Sequence, residues 1–197
     1  MDGGILIVGT HRSGTTNLLN SLAQIFDTSK IEEPWNYYLF SHHECKYPQI
    51  LQQYGIVKSL VEQVPYYWKK EYTVDFYLDL IDHYSKVILL GRKNRIAMAE
   101  SYARQMQFGD HDWHKEYSIE DTSILKLDME FINETCDTLI EISEKSGIPI
   151  TWYEDLYSGE VNKLKKVVNN WNFNVDIPIL LEYTNPHNRY RKFKTKI

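Results

Sequence analysis

The feature that most constrains this chain is a short apolar run that leads directly into a glycine-bounded loop and then into an amphipathic segment. Residues 5–8 are all Ile, Leu or Val, as expected of a strand that is buried on both faces. The loop over residues 9–16 reads GTHRSGTT. Residues 15–26 then place apolar side chains at helical spacing, namely Leu18, Leu19, Leu22, Ile25 and Phe26. A strand, a tight loop and a helix in this order predict the start of a parallel α/β arrangement.

The remainder of the chain continues to alternate apolar runs with segments of helical periodicity. Strands are predicted over residues 55–58, 86–90 and 150–153, and helices over 75–85, 95–108, 121–146 and 160–171. The apolar faces of the second and third helices are expected to include Leu78, Ile81, Ile96, Ala99, Ala103 and Met106. Segments 38–53 and 109–120 are predicted to be loops, the usual place of a substrate lid. We therefore predict a single α/β domain over residues 1–197, with a three-layer P-loop-type fold whose central parallel sheet of about four to five strands is flanked by helices.

Composition and charge limit the functions that such a domain can have. The 197 residues include 43% hydrophobic and 25% charged residues, which is typical of a globular chain. A formal net charge of −5 argues against a nucleic-acid binder, although the segment from Arg189 to Lys196 is basic. Cys45 and Cys136 lack metal-ligand spacing and are expected to be reduced thiols. Because the chain shows neither a signal peptide nor an apolar run of about 20 residues, a cytoplasmic location is predicted.

The loop over residues 9–16 has the context of a phosphate-binding loop, because a strand precedes it and a helix follows it. Its backbone N–H groups and the positive end of the helix dipole would cradle an anion; the alternative is an ordinary strand-to-helix turn. Thr15 occupies the position of the lysine of nucleotide-hydrolysing P-loops, and Arg92 follows a strand that in those enzymes ends in a Mg²⁺-binding Asp. No metal is therefore expected. His111 and His114 are close in sequence but have no third ligand at suitable spacing.

Two motifs resemble those of sulfotransferases that use 3′-phosphoadenosine 5′-phosphosulfate (PAPS). The Arg-Ser-Gly-Thr-Thr sequence at residues 12–16 resembles the family's 5′-phosphosulfate loop, and Arg92 with Ser101 resembles its 3′-phosphate motif. The nine-residue step from Arg92 to Ser101 is similar to that of the bacterial trehalose 2-sulfotransferase type. Weaker matches are Glu33-Pro34, Gln105, Trp113, Tyr153-Glu154-Asp155-Leu156 and Arg189-Tyr190-Arg191. The resemblance implies a nucleotide-binding transferase that moves a sulfuryl group to an acceptor hydroxyl, needs no metal and can form a homodimer.

The resemblance also implies roles for individual residues. The 5′-phosphosulfate of PAPS would be held by Arg12, Ser13, Gly14, Thr15 and Thr16, and its 3′-phosphate by Arg92 and Ser101. Lys58 is expected at the sulfuryl group or the bridging oxygen, or else as an exposed lysine at a strand end. Tyr153 would contact the adenine or be merely structural. Arg191 and Arg189 would reach the nucleotide phosphates or belong to a frayed tail.

The general base is the least defined part of the predicted site. Asn36 occupies the position at which the trehalose-type enzymes have their base, and its amide cannot accept the proton productively. Glu33 is therefore the favoured base, and Arg12 and Lys58 are the other predicted catalytic residues. The remaining candidates for the base are Glu32, His11, His42 and His43.

The acceptor is predicted to be a carbohydrate or another small molecule that carries a sugar. The aromatic side chains that could stack on sugar faces are Trp35, Tyr37, Tyr38 and Trp113. Two other functions are compatible with the same loop. One is a divergent P-loop kinase that uses ATP and requires Mg²⁺. The other is a non-catalytic nucleotide-binding module that retained the donor site and lost its base.

Overall fold

The computed structural model describes residues 4–34, 55–63, 73–112 and 122–185, without the side chains of residues 105–112 and 122–128. The strands in these ranges are β1 (Ile5–Gly9), β2 (Lys30–Glu32), β3 (Ile56–Leu60), β4 (Lys86–Gly91) and β5 (Ile150–Trp152). The helices are α1 (Thr15–Ile25), α2 (Thr73–Asp82), α3 (Arg95–Asp112), α4 (Thr122–Ser146), α5 (Tyr153–Leu156), α6 (Val161–Val168) and α7 (Ile177–Thr184). None of the helices in these ranges is both long enough and apolar enough to cross a membrane.

The strands of the described ranges form one parallel sheet in the order β2-β3-β1-β4-β5. This arrangement confirms the predicted α/β fold with a central parallel sheet. At the carboxyl end of the central strand, Gly9 pairs with Leu60 of β3 and with Leu90 of β4. The chain leaves β1 towards β2 on one side and leaves β4 towards β5 on the other, so the strand order reverses between β1 and β4. Open α/β sheets bind ligands at the carboxyl edge at such a reversal.

Both faces of the sheet are covered, which explains the uninterrupted apolar runs in the strands. On one face, Ile5 and Ile7 pack with the buried leucines and valines of α1 and α6 and with Leu180 of α7. On the other face, Leu6 and Val8 pack with buried residues of α2 and α4. The central strand therefore lies in the middle of a three-layer core, and the loop that follows it is anchored at its strand end.

Some element predictions were wrong in instructive ways. β2 was missed because it is an edge strand whose residues are exposed or half-buried, so it shows no apolar run. The helix α3 extends to Asp112, so residues 109–112 are helical rather than a loop. Ile96 is 65% exposed, because Met98 and Ala99 are on the face of α3 that packs against α4. The predicted loop over 38–53 and residues 113–120 lie outside the described ranges.

Candidate functional site

The loop between β1 and α1 closes tightly on itself before the helix begins. Both the backbone N–H and the hydroxyl of Ser13 donate to the carbonyl oxygen of Thr10, at 3.3 and 2.6 Å. Arg12 has a φ of 60° and Gly14 a φ of 85°, and the left-handed region is costly for a residue with a side chain. The conformation of Arg12 is thus one that the surrounding contacts must hold in place.

Two glycines let this loop pack closely against its neighbours. A Cβ atom on Gly9 would lie 2.5 Å from the Cγ2 atom of Thr15 and 2.8 Å from the carbonyl oxygen of Leu90. A Cβ atom on Gly14 would lie 2.7 Å from the ring of Tyr157, whose hydroxyl donates to the Gly14 carbonyl oxygen at 2.7 Å. The path of the loop is therefore set by β4 and by the residue that follows α5.

The first turn of α1 presents backbone donors that the protein does not use within the described ranges. Gly14 is the N-cap and supplies no side-chain cap, although its carbonyl oxygen accepts from the Leu18 N–H at 3.1 Å. The N–H groups at a helix start need an acceptor, and the helix dipole makes an anion the preferred one. This turn is the natural place for a phosphate or sulfate group.

We use the term cationic flank for Arg12, Arg92, Ser101 and Tyr153, which lie on the β4 side of the loop. Arg92 directly follows β4, donates from Nη1 to the Arg12 carbonyl oxygen at 3.3 Å, and stacks 4.5 Å above the centre of the Tyr153 ring. Its Nε atom is buried and has no hydrogen-bond partner among the described residues. Because an unsatisfied buried donor costs about 1–3 kcal/mol, this arrangement favours an added acceptor beside Arg92.

Ser101, which lies on α3, contributes a hydroxyl group to the same flank. The Nε atom of Arg12 donates to the Ser101 hydroxyl oxygen at 2.8 Å. The structure therefore brings Arg12 together with Arg92 and Ser101, which lie 80 and 89 positions further along the chain. The residues predicted for the two ends of the nucleotide share a single cluster of donors.

The tetrad Tyr153-Glu154-Asp155-Leu156 contacts the segment that directly follows Arg92. The two carboxylate oxygens of Glu154 accept the N–H groups of Lys93 and Asn94, at 3.1 and 3.0 Å. Asp155 pairs with the Lys93 ammonium at 3.0 Å. These contacts fix the segment that carries Arg92, a role that sequence reasoning did not assign to Glu154.

A cavity of about 250 Å³ opens beside Arg92, between β4, β5 and α4. Its wall combines apolar side chains with cationic groups: Arg92, Lys93, Arg95, Cys136, Leu139 and Trp152. The Lys93 ammonium lies 5.7 Å from the centre of the Trp152 ring. A cavity lined by both apolar and cationic side chains suits a flat ring that carries a phosphate.

We use the term acid–base flank for Lys58, Glu33, Gln63, His11 and Glu62, which lie on the β3 side. The Lys58 side chain is 2% exposed, so it is not the exposed strand-end lysine that was the alternative. Its ammonium donates to Glu33 Oε1 at 2.7 Å and to the Thr16 hydroxyl at 2.8 Å. Gln63 donates to the other Glu33 oxygen at 2.6 Å. A buried ammonium thus has a carboxylate and a hydroxyl as acceptors.

The Glu33 carboxylate is stabilised in its charged form. Burial alone would raise its pKa, but the charge and hydrogen bond of Lys58 and the hydrogen bond of Gln63 outweigh burial, so the Glu33 pKa lies below its usual value. Each carboxylate oxygen already accepts a hydrogen bond. Glu33 is ionised at neutral pH and is a weak base.

His11 and Glu62 form the second pair of the acid–base flank. Glu62 Oε1 contacts both the backbone N–H and the ring Nδ1 of His11, and the Glu62 side chain is 3% exposed. Burial lowers the pKa of His11, but the hydrogen bond and charge of Glu62 outweigh this effect and raise it. Tyr102 lies edge-on to the His11 ring, with centroids 5.6 Å apart. Sequence reasoning did not pair these residues, because they are 51 positions apart and share no motif.

The structure gathers most of the predicted site residues at one edge of the sheet. They are Arg12, Ser13, Gly14, Thr15, Thr16, Glu33, Lys58, Arg92, Ser101 and Tyr153. Arg189, Arg191, Asn36, Trp113 and His114 lie outside the described ranges, as do the side chains of Gln105 and His111. The predicted roles of those residues stay predictions.

Comparisons with known proteins add no family assignment. No protein-family profile matches this chain, and no curated protein matches it. A functional proposal therefore rests on the sequence motifs and on the geometry of the two flanks.

Proposed function

We propose that this chain is a sulfotransferase that moves the sulfuryl group of PAPS to a hydroxyl of a carbohydrate or another small molecule. The observation that supports this proposal best is the cationic flank beside the uncapped start of α1. There, Arg92 has a buried Nε atom without a partner among the described residues, and Arg12 donates to Ser101 at 2.8 Å. An anionic nucleotide with phosphate groups at two positions matches this cluster of charged donors.

In this proposal, the 5′ end of the donor is held by the loop. The N–H groups of Gly14, Thr15 and Thr16 lie at the positive end of the α1 dipole, and Arg12 adds a planar charged group. Ser13 shapes the loop, because its N–H and hydroxyl both donate to Thr10. The charge that develops on the leaving phosphate oxygen is stabilised by these donors.

The 3′-phosphate is assigned to Arg92 and Ser101. Arg92 is oriented by the Tyr153 ring and by its contact with the Arg12 carbonyl oxygen, and Glu154 holds the backbone that follows it. A guanidinium that is held in place loses little freedom when it binds a phosphate. We expect this position to distinguish 3′-phosphorylated nucleotides from others.

The acid–base flank favours a transferase over a non-catalytic nucleotide-binding module. A module that only binds a nucleotide has no use for ionisable groups that are buried next to the loop. Lys58, Glu33, His11 and Glu62 occupy that position here. Lys58 also contacts Thr16 in the first turn of α1, so the flank is connected to the proposed sulfuryl site.

The test is calorimetric binding of 3′,5′-adenosine bisphosphate, compared with ADP and ATP, each with and without Mg²⁺. We expect a clear preference for the bisphosphate that does not depend on Mg²⁺. Stronger binding of ATP with Mg²⁺ would instead favour the kinase alternative. If the bisphosphate binds and PAPS transfers no sulfuryl group to any member of an acceptor panel that includes trehalose, the binding module is the better description.

A further inference from the structure

The His11–Glu62 pair has the arrangement of an imidazole base that is oriented by a carboxylate. Glu62 lies two residues beyond β3 and is nearly buried, at 3% exposure of its side chain. A carboxylate oxygen accepts hydrogen bonds, so its contact with the ring Nδ1 places the proton of neutral His11 on that nitrogen. The lone pair then resides on Nε2.

The Nε2 atom of His11 can accept a proton. It has no hydrogen-bond partner among the described residues, and the side chain is 28% exposed. The ring is held from two sides, by Glu62 and by the edge-on contact with Tyr102 of α3. Its backbone belongs to the loop proposed to bind the phosphosulfate, and its own N–H is fixed by Glu62.

Glu33 is less suited to the same task. Its two oxygens accept from Lys58 and Gln63 at 2.7 and 2.6 Å. Removing a proton from a hydroxyl is most efficient when the base has a pKa near the working pH. The pKa of Glu33 is shifted in the wrong direction for this purpose, because Lys58 and Gln63 outweigh burial.

We infer that His11 is the general base of the proposed sulfuryl transfer and that Glu62 is its positioning residue; this inference rests on the proposed function. Nε2 of His11 takes the proton of the acceptor hydroxyl as the acceptor oxygen forms its bond to sulfur. The bond between sulfur and the bridging oxygen breaks, and its electron pair stays on the 5′-phosphate of the bisphosphate product. The imidazolium then returns its proton to solvent.

The charged groups around His11 define the pH dependence expected of this step. Glu62 and Glu33 favour the protonated ring, and burial and Lys58 oppose it. The contacts from α3 come from the Tyr102 ring. Because the balance raises the His11 pKa, the transfer rate should increase with pH along a single limb and level off above that pKa.

The first experiment compares wild type with His11→Gln and Glu62→Gln. Water serves as the acceptor, and the rate at which PAPS yields 3′,5′-adenosine bisphosphate is measured across pH. We expect His11→Gln to lower kcat by about 10²–10⁴-fold while the affinity for the bisphosphate changes by less than about threefold. Glu62→Gln should lower kcat less and move the pH limb to lower pH, because the carboxylate no longer raises the His11 pKa. Exposed His83, which directly follows α2, supplies the control His83→Gln, which should leave rate and pH profile unchanged.

The second experiment does not depend on turnover. Nitrogen-15 NMR of the full chain should show neutral His11 with its proton on Nδ1, and Glu62→Gln should lower the His11 pKa. A proton on Nε2, or a wild-type rate in His11→Gln, would overturn the dyad while the sulfotransferase proposal stands. Failure of the wild-type chain to bind the bisphosphate would overturn the sulfotransferase proposal itself, and the catalytic role of His11 with it.

Discussion

The two flanks of the β1–α1 loop hold their charges in opposite ways. On the acid–base flank, Lys58 and Glu33 bond to each other at 2.7 Å, and His11 bonds to Glu62. On the cationic flank, Arg92 stacks on Tyr153 and keeps a buried Nε atom without a partner in the described ranges. The difference indicates that the Lys58 ammonium is neutralised within the protein, whereas Arg92 keeps a donor for a ligand. The unpartnered buried atoms of the acid–base flank in the described ranges are acceptors, namely Glu62 Oε2 and Gln63 Oε1.

Burial explains why the flanks differ. The Lys58 side chain is 2% exposed, and a charge that is withdrawn from water needs a close partner. Arg92 is half-buried, so it retains some hydration and gains from the face of an aromatic ring. Mutations should therefore lower stability on the acid–base flank and lower ligand affinity on the cationic flank.

The largest effect is expected for Lys58→Met. The substitution leaves Glu33 without its ammonium partner in a partly buried position, and breaking such a pair costs about 3 kcal/mol. The loss should appear as a lower free energy of unfolding in urea denaturation. The control is Lys93→Met, which breaks the exposed pair with Asp155 (side chains 53% and 36% exposed) and should cost at most about 1 kcal/mol. Equal losses in the two variants would contradict the contrast between the flanks.

The next largest effect is expected for Arg92→Ala, which should lower the affinity for the nucleotide. The loss of a charged donor should weaken binding of 3′,5′-adenosine bisphosphate by about 10- to 100-fold, which corresponds to about 1.4–2.8 kcal/mol. Binding of 5′-AMP, which lacks the 3′-phosphate, should change by less than about threefold. The control is Lys163→Ala, since Lys163 is paired with Glu160 at 2.7 Å on the exposed side of α6, and it should leave both affinities unchanged. If both nucleotides lose affinity equally, the assignment of Arg92 to the 3′-phosphate is wrong.

A smaller loss is expected for Tyr157→Phe. The ring still packs against Gly14, and only the hydroxyl that donates to the Gly14 carbonyl oxygen at 2.7 Å is removed. We expect a loss of about 1 kcal/mol in the free energy of unfolding and a modest decrease in bisphosphate affinity, because the loop is less firmly held. Unchanged stability would show that the Tyr157 hydroxyl does not fix the loop.

The smallest effect is expected in the pH dependence of stability, where His11 and Glu33 act in opposite directions. The raised His11 pKa contributes stability that is present below the ordinary value of 6.5 and is lost as pH rises through the folded-state pKa. The lowered Glu33 pKa contributes stability that is present above 4.5 and is lost as pH falls through the folded-state pKa. Urea denaturation across pH should show that His11→Gln removes the alkaline loss and leaves the acid one. An alkaline loss that persists in this variant would point to another group.

Much of the fold could be predicted because the strands at the centre of the sheet are covered on both faces. Residues 5–8 and 87–90 are apolar without interruption, and both runs lie in interior strands of the sheet. β2 could not be predicted, since it pairs only with β3 at the sheet edge and has no apolar pattern. The start of α7 does have a local signal, the Asp176 carboxylate that accepts the Ile179 N–H at 3.0 Å, but the predicted helices ended before it.

The candidate site also has parts that could be predicted from the sequence and parts that could not. The position of the loop and the approach of Arg92 follow from the strand ends, because the carboxyl ends of parallel strands meet at one edge of the sheet. The side-chain pairings do not follow from local sequence. Lys58 pairs with Glu33, which is 25 residues away in sequence, and His11 pairs with Glu62, which is 51 residues away.

The sequence by itself determined the α/β architecture, the loop after β1 and the presence of a cation after β4. These features depend on local patterns: apolar runs, helical periodicity and glycines at a turn. Only the tertiary structure decided which charges are neutralised and which retain a donor for a ligand. The physical reason is that pairing energies depend on distance and burial, both of which arise when segments that are remote in sequence pack together.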